Sequence, residues 1–323
     1  MKETNKKRVS TAVVVSMLLI ILTSMITPVD ADDNGDSVVA EDSNSYTIRD
    51  PIRINGNSDF ASQAAQEGWP GDGSPGNPYI IEGYEINGTG YGYGIYISNT
   101  TVNFVVRDCY VHNASGVYQD PNKGIPIEIS IYNSGIILFN IQNGILENNT
   151  MINNVRQGIY VYGCADINVI YNNLPNNGIT FSSSDDNVIS NNNVSGIGLS
   201  GSFGNIITFN NVGREEIHQC HGIYLGYSND NVINNNTISN QRIGIFEDTC
   251  DWNLIEGNTF VNVEIEHDYA YEVVNGNNGN NGNNSNNGNS DTPFIGFALA
   301  TVAILTAVCL TWKKRRCKGE DPN

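Results

Sequence analysis

Two successive stretches, GIYLGYSNDNVINNNTI from Gly222 and GIFEDTCDWNLIEGNTF from Gly244, constrain this chain more than any other feature. Laid over each other, Gly222 falls on Gly244, Ile223 on Ile245, Ser228 on Cys250, Asn231 on Asn253, Ile233 on Ile255, Asn236 on Asn258 and Ile238 on Phe260. The same spelling recurs upstream. A glycine opening an apolar–any–apolar triplet stands at Gly94, Gly135, Gly158, Gly178, Gly196, Gly222 and Gly244. Eight to ten residues later comes an asparagine: Asn103, Asn143, Asn168, Asn187, Asn205, Asn231 or Asn253. Five residues further on stands Asn148, Asn173, Asn192, Asn210, Asn236 or Asn258, with Asp108 as the exception.

A unit of about 20 residues with two-residue alternation is too short for a pair of helices and is the repeat class of parallel β-helices. Each coil then lays short strands on those of the next coil, ~4.8 Å away, so equivalent residues stack into columns. Ile and Val columns fill a continuous core. The columns of Asn168, Asn187, Asn205, Asn231 and Asn253 fall where the chain turns, because asparagine accepts left-handed backbone and bonds its neighbours there. Stacked amides also bond one another along the column. The pattern predicts an all-β solenoid of about 8–10 coils. The 40-residue step from Asn103 to Asn143 predicts an extra degenerate coil near residues 127–131, with a loop over Val117 to Gly124.

The flanks read differently. Residues 1–31 have a basic start, an apolar run and small residues before Asp32, the pattern of a secretory signal peptide. Residues 32–45 form an acidic leader. Residues 46–93 are expected to be an N-terminal cap, with a short helix from Asn57 or Ser58 to Gly68 and a first strand over Tyr79 to Ile86. The repeats run over 94–274. Residues 275–292 are an Asn/Gly/Ser-rich tether. Residues 293–312 are apolar and long enough to cross a membrane once, and the basic tail 313–323 belongs on the cytoplasmic side, leaving the repeats outside. Between Asp32 and Pro293 there are 30 Asp and Glu against 7 Lys and Arg, a balance of −23. Such a surface repels phosphate backbones, which excludes nucleic acid as a partner.

With PYIIEGYEING at Pro78 to Gly88 and the N-x-I-x-x-N coils, the chain resembles archaeal cell-surface proteins with a right-handed parallel β-helix. These are the NosD-like and the carbohydrate-binding and sugar-hydrolase repeat families on the pectin-lyase-like fold. The resemblance covers roughly Tyr46 to Tyr271. That fold hosts lyases, hydrolases, adhesins and stalks, so the resemblance implies architecture more than chemistry.

Four groups of residues carry candidate chemistry. Acceptor sequons for glycans stand at Asn87, Asn99, Asn113, Asn148, Asn193, Asn235 and Asn283, with Asn148 expected in the turn ladder. The outward residue of the triplet is Tyr96, Tyr160, Tyr224 or Phe246, with Thr180 and Gly198 between them, a column that could stack sugar rings. Tyr and Phe also simply suit exposed strands. Asp166, Asp185, Asp186, Asp230 and Asp251 precede the turn asparagines and would suit Ca²⁺ or, more simply, solvent. His218, Cys220 and His221 could ligate copper or zinc. Of six cysteines, Cys309 and Cys317 lie in or beside the C-terminal apolar segment, and the other four, Cys109, Cys164, Cys220 and Cys250, are too scattered for a disulfide scaffold, with Cys164 and Cys250 in a column of small residues.

No triad, phosphate loop or cofactor fingerprint occurs, so no catalytic residue is assigned and no cofactor is expected. The sequence predicts a membrane-anchored extracellular glycoprotein that binds glycans or envelope proteins without catalysis. The alternatives are a polysaccharide lyase or glycoside hydrolase, and a copper-handling accessory protein.

Overall fold

A computed structural model describes residues 46–116 and 133–270, apart from the side chains of residues 217–219. These residues form 23 strands and a single helix. The strands pair in parallel with their equivalents one coil away, and each coil has three faces. Face I is built from β2 (Ile52–Asn55), β5 (Tyr93–Thr100), the start of β8 (Ser134–Glu147), β10 (Ile159–Tyr162), β13 (Ile179–Ser182) and β16 (Ile197–Ser200). The ends of β18 (Asn211–Gly226) and β20 (Thr237–Asp248), then β23 (Ile265–Ala270), complete it. Face II carries the column Val106, Leu146, Val169, Ile189, Ile207, Ile233 and Ile255. Face III carries Ile86, Val111, Met151 on one run and Leu174, Val194, Val212, Ile238 and Phe260 on the next. Eight coils contribute a strand to all three faces. This is a parallel β-helix, as the repeat requires.

Strand alternation fills the interior. On face I, Ile54, Ile97, Leu138, Val161, Phe181, Leu199 and Leu225 are fully buried, with Ile and Val from the other faces meeting them in one continuous core.

The corners explain the asparagines. At the turn from face II to face III a single residue takes left-handed backbone in each coil: Gly83, Asp108, Asn148, Tyr171, Asn191, Phe209, Asn235 or Gly257. The residue after it points inward, and there the amide ladder runs through Asn149, Asn172, Asn192, Asn210, Asn236 and Asn258. Each side-chain amide donates to the next Oδ1 at 3.0 Å. The backbone N–H of each rung donates to that same oxygen. A second ladder at the corner from face I to face II links Asn187, Asn205, Asn231 and Asn253. Beside it the small-residue column Cys164, Ser184, Ser202, Ser228 and Cys250 forms as expected, each backbone N–H bonding the next side chain.

Five expected positions are displaced by one residue: Asn103 and Asn143 lie just before Phe104 and Gly144, which hold the column, and Asn168, Asn148 and Asn173 are displaced as well. Asn168 lies beside the ladder, and Ile167 occupies the column position, its N–H donating to Asn187 Oδ1 at 2.9 Å. Asn148 and Asn173 are exposed, and Asn149 and Asn172 are the buried rungs. The reason is the left-handed residue. It fixes which residue turns inward, and in these coils Asp166, Asn148 and Tyr171 hold that conformation.

The N-terminal stretch is itself a coil. β2, β3 (Tyr79–Glu82) and β4 (Tyr84–Thr89) pair in register with β5, β6 (Phe104–Arg107) and β7 (Tyr110–Ser115). The repeat spelling is missing because the helix α1 (Asn57–Glu67) and a turn-rich segment are inserted between its first two strands. Asp59 accepts the Asn55 N–H at 2.8 Å at the start of α1, and left-handed Gly68 stops it. Phe60 and Ala64 face inward, and Phe60 stacks on Tyr79 with centroids 4.9 Å apart and lies 5.6 Å from Phe104. The helix thereby covers the open end of the core.

Residues 127–131, the place of the expected extra coil, and the expected loop over Val117 to Gly124 lie outside the described residues, and no coil stands between their neighbours. Tyr93 pairs directly with Ser134, Phe104 with Gly144 and Tyr110 with Thr150, so the coils on either side are neighbours. The 40-residue step is an insertion at the corner from face III to face I. The expected signal peptide, acidic leader, tether, apolar segment and basic tail lie outside the described residues, and within those no helix is long and apolar enough to cross a membrane.

A groove on face I

The outward side of face I carries one residue per coil in a straight column. Arg53, Tyr96, Ile137, Tyr160, Thr180, Gly198, Tyr224, Phe246 and Asp268 follow one another in register. The column therefore brings Tyr96, Tyr160, Tyr224 and Phe246 onto one face, in two blocks. In the first, Tyr93, Tyr96 and Ile137 pack together with Phe139 and Tyr160 against them. Phe139 stacks on Tyr162 at 5.2 Å. The Arg53 guanidinium lies over Tyr96, 4.6 Å from its centroid. In the second block His221 stacks on Phe246 at 4.6 Å with an interplanar angle of 10°, and on Tyr224 at 5.8 Å.

Between the blocks Thr180 and Gly198 leave the sheet low. The result is a depression of about 380 Å³ floored by Thr180, Gly198 and Ser200. Tyr224 and His221 wall one end, and Arg156 and Arg214 line it as well. Both arginines are exposed and come from the corner between faces III and I, in coils that enclose the Thr180 and Gly198 strands. At one strand spacing per coil their backbones are offset by about 14 Å along the axis. None of the described residues lining the groove is a carboxylate.

The groove's ionisable groups are held in one state. Burial, then the neighbouring Arg242, lowers the His221 pKa against the opposing pull of Asp268, so the ring is neutral at neutral pH. Burial and the adjacent Asp248 raise the Tyr224 pKa, and its hydroxyl donates to Asp248 Oδ2 at 3.3 Å. Tyr224 is thus a phenol with its proton committed, and offers no phenolate base.

The sequon asparagines occupy turns and outer ladders. Asn87, Asn99, Asn148, Asn193 and Asn235 are exposed and Asn113 is half-buried, whereas Asn283 lies outside the described residues. Asn99 bridges Asn55 and Asn140, and Asn193 bridges Asn173 and Asn211. Asp185 accepts the Phe203 N–H at 2.8 Å, and Asp166, Asp186 and Asp230 hold left-handed turns. Arg156 and Arg214 are the functional candidates that the repeat spelling did not bring together. Their only signal is a place shortly before a face I glycine.

The family profile described as "Periplasmic copper-binding protein (NosD)" matches residues 50–196 and, overlapping them, 80–294. The chain belongs to the NosD family. That family is one of parallel β-helices of the pectin-lyase type, in agreement with the fold, and its description places it outside the cytoplasm. No curated protein and no solved structure matches the chain.

The family's description raises copper, whose ligands are thiolate, thioether and imidazole. The described residues do not fit it. No three of their His, Cys, Asp or Glu side chains lie close enough to share an ion. Burial pushes the Cys109 and Cys164 thiols up to about 11 and about 12, so both stay protonated, and Met151 is fully enclosed in the core. Of the expected trio, His221 is stacked between rings and Cys220 is exposed, while the His218 side chain lies outside the described residues. His112 and His267 lie beside Glu85 and Glu247 instead.

Proposed function

We propose that this NosD-family protein is a non-catalytic, membrane-anchored binding module of the cell exterior that holds glycan chains in the face I groove. The observation that supports this reading is the gap at Thr180 and Gly198 in an otherwise bulky outward column. A sugar ring seated there has an aromatic wall at Tyr224 and His221 and hydroxyl partners at Thr180 and Ser200. Aromatic faces and a few placed polar groups are what recessed ligand sites generally offer. The apolar segment 293–312 would tether the module, with glycans on the exposed sequons covering other faces.

A hydrolase would need two carboxylates facing each other across the groove, and the described residues of its lining supply none. The reading is tested by incubating the full chain with acidic and neutral polysaccharides and separating the mixture by size. Intact polysaccharide co-eluting with protein is the expected result. Shortened polysaccharide would replace this reading with an enzymatic one, and no association would leave a structural envelope component.

A further inference from the structure

The described sequon asparagines are not equivalent. Several commit their amide nitrogen to a neighbour. Asn99 Nδ2 donates to Asn55 Oδ1 at 2.8 Å, Asn193 Nδ2 to Asn173 Oδ1 at 2.8 Å, and Asn148 Nδ2 to Asp108 Oδ1. Half-buried Asn113 holds its nitrogen 2.8 Å from His112 Nδ1. Asn99 and Asn193 also accept an amide from the coil on their other side, so each is held between two neighbours.

Asn87 is arranged the other way round. It stands on the outward side of β4, where its Oδ1 accepts the Thr89 N–H at 3.1 Å and the Thr89 hydroxyl at 2.7 Å. A backbone N–H can only donate, so the atom facing Thr89 is the oxygen. The amide nitrogen therefore lies on the far side of the planar group, and among the described residues it donates to nothing. Asn87 and Thr89 are exposed, whereas Gly88 between them is buried. A Cβ at Gly88 would come within 2.8 Å of Ala114 Cα and Tyr93 O, so the triplet is fixed in this outward turn. Asn235 also keeps its amide free, but it is a left-handed corner residue with φ of 53°, and among the described residues no bond ties its side chain to Thr237.

We infer that Asn87 is an acceptor for an N-linked glycan, delivered by a transferase from a glycan carried on a lipid phosphate. This narrows the sequon glycans of the preceding reading to this position, and rests on that reading's placement of the solenoid outside the cell. Asn-x-Ser/Thr is the acceptor spelling for such transfer, and Asn87-Gly88-Thr89 presents it with the nucleophile uncommitted. Nδ2 attacks the anomeric carbon of the donor. The C1–N bond forms and the C1–O bond to phosphate breaks. The lipid phosphate leaves with the bonding electrons, and one amide proton passes to a base of the transferase. Oδ1 keeps both of its bonds to Thr89, so the turn survives the reaction. The first sugar would lie over a depression of about 410 Å³ that Asn87 lines together with Asp50 and Glu85, whose carboxylates can accept from its hydroxyls. Asn87 belongs to face III, so the glycan leaves the face I groove open. At Asn99 and Asn193 a sugar on Nδ2 would crowd a bonded partner 2.8 Å away.

The test is peptide mapping by mass spectrometry of the full chain purified from the cells that naturally make it. Alongside, intact cells are treated with a membrane-impermeant maleimide and labelling of exposed Cys220 is read from the same maps. The expected result is a glycan on the Asn87 peptide, bare Asn99 and Asn193 peptides, and Cys220 labelled without lysis. Asn87→Gln and Thr89→Ala should each lower the intact mass by that one glycan. Thr89→Ser should retain it. Melting temperatures should change little, since both side chains are exposed. A glycan on Asn99 or Asn193 with Asn87 bare would overturn the assignment and leave the exterior placement standing. No glycan on a chain whose Cys220 is labelled on intact cells would overturn the acceptor itself. No glycan, with Cys220 labelled only after lysis, would overturn the acceptor together with the placement it rests on.

Discussion

The corner between faces II and III and the outward column of face I are made by the same coils, yet they follow opposite rules. At the corner the same arrangement returns in coil after coil, a left-handed residue and then a buried asparagine bonded to the next. On the outward column Arg, Tyr, Ile, Tyr, Thr, Gly, Tyr, Phe and Asp follow one another with no rule of their own. A buried amide must find its partners in the neighbouring coil, so each rung dictates the next. An outward side chain answers to solvent or ligand and is free to differ. In this solenoid repetition marks what holds the coils together, and its lapse marks where the molecule can bind.

The largest effect should come from breaking the ladder. Asn210 donates to Asn236, Ile189 and Thr208 and accepts from Asn192. Asn210→Ala should cost on the order of 2–4 kcal/mol in denaturant unfolding, because its neighbours' buried polar groups lose their partner. Asn211→Ala, next to it but exposed, should stay within about 0.5 kcal/mol. Similar costs at both positions would erase the distinction between rung and surface.

The thiols come next. Cys109 and Cys164 have pKa values raised by burial to about 11 and about 12, against 9.0 for an ordinary thiol. Their burial is fully tolerated below pH 9. Between about pH 9 and 12 the unfolded chain ionises first, and stability falls by up to roughly tenfold in the unfolding equilibrium per pH unit per thiol. Urea titrations at stepped pH should show this fall, blunted in Cys164→Ser, and in the native state alkylating reagents should label exposed Cys220 ahead of Cys109, Cys164 and Cys250.

A smaller gain should come from the left-handed corner. Phe209 and Tyr171 hold φ of 55° and 56°. Phe209→Asn should stabilise by about 1 kcal/mol, since left-handed backbone strains most side chains and suits asparagine. No change, or a loss, would show that the exposed ring contributes packing that the corner needs.

These residues also show how much was legible beforehand. The fold followed from the spacing of Gly222, Asn231 and Asn236 against Gly244, Asn253 and Asn258, because a two-residue period with a 22-residue step leaves few solids to build. The register of Asn168, Asn148 and Asn173 was not legible. Runs such as Asn148-Asn149 and Asn172-Asn173 offer two candidates each, and only backbone conformation chooses between them. The coil before Gly94 was hidden by the helix inserted in it. The aromatic column was readable from the triplets, but the groove was not. Arg156 and Arg214 lie 58 positions apart, and only the stacking of the coils brings both to the edge of one groove.

Filling the groove tests most directly the claim that binding lies where the column lapses. Oligosaccharide titrations should be run on the unaltered chain and on Gly198→Trp, with the thermal unfolding of each recorded alongside. The account predicts that the indole occupies the space over Thr180 and abolishes binding, with unfolding little changed because nothing at Gly198 participates in a ladder. Undiminished affinity in a folded Gly198→Trp protein would contradict it and place the ligand elsewhere on the solenoid.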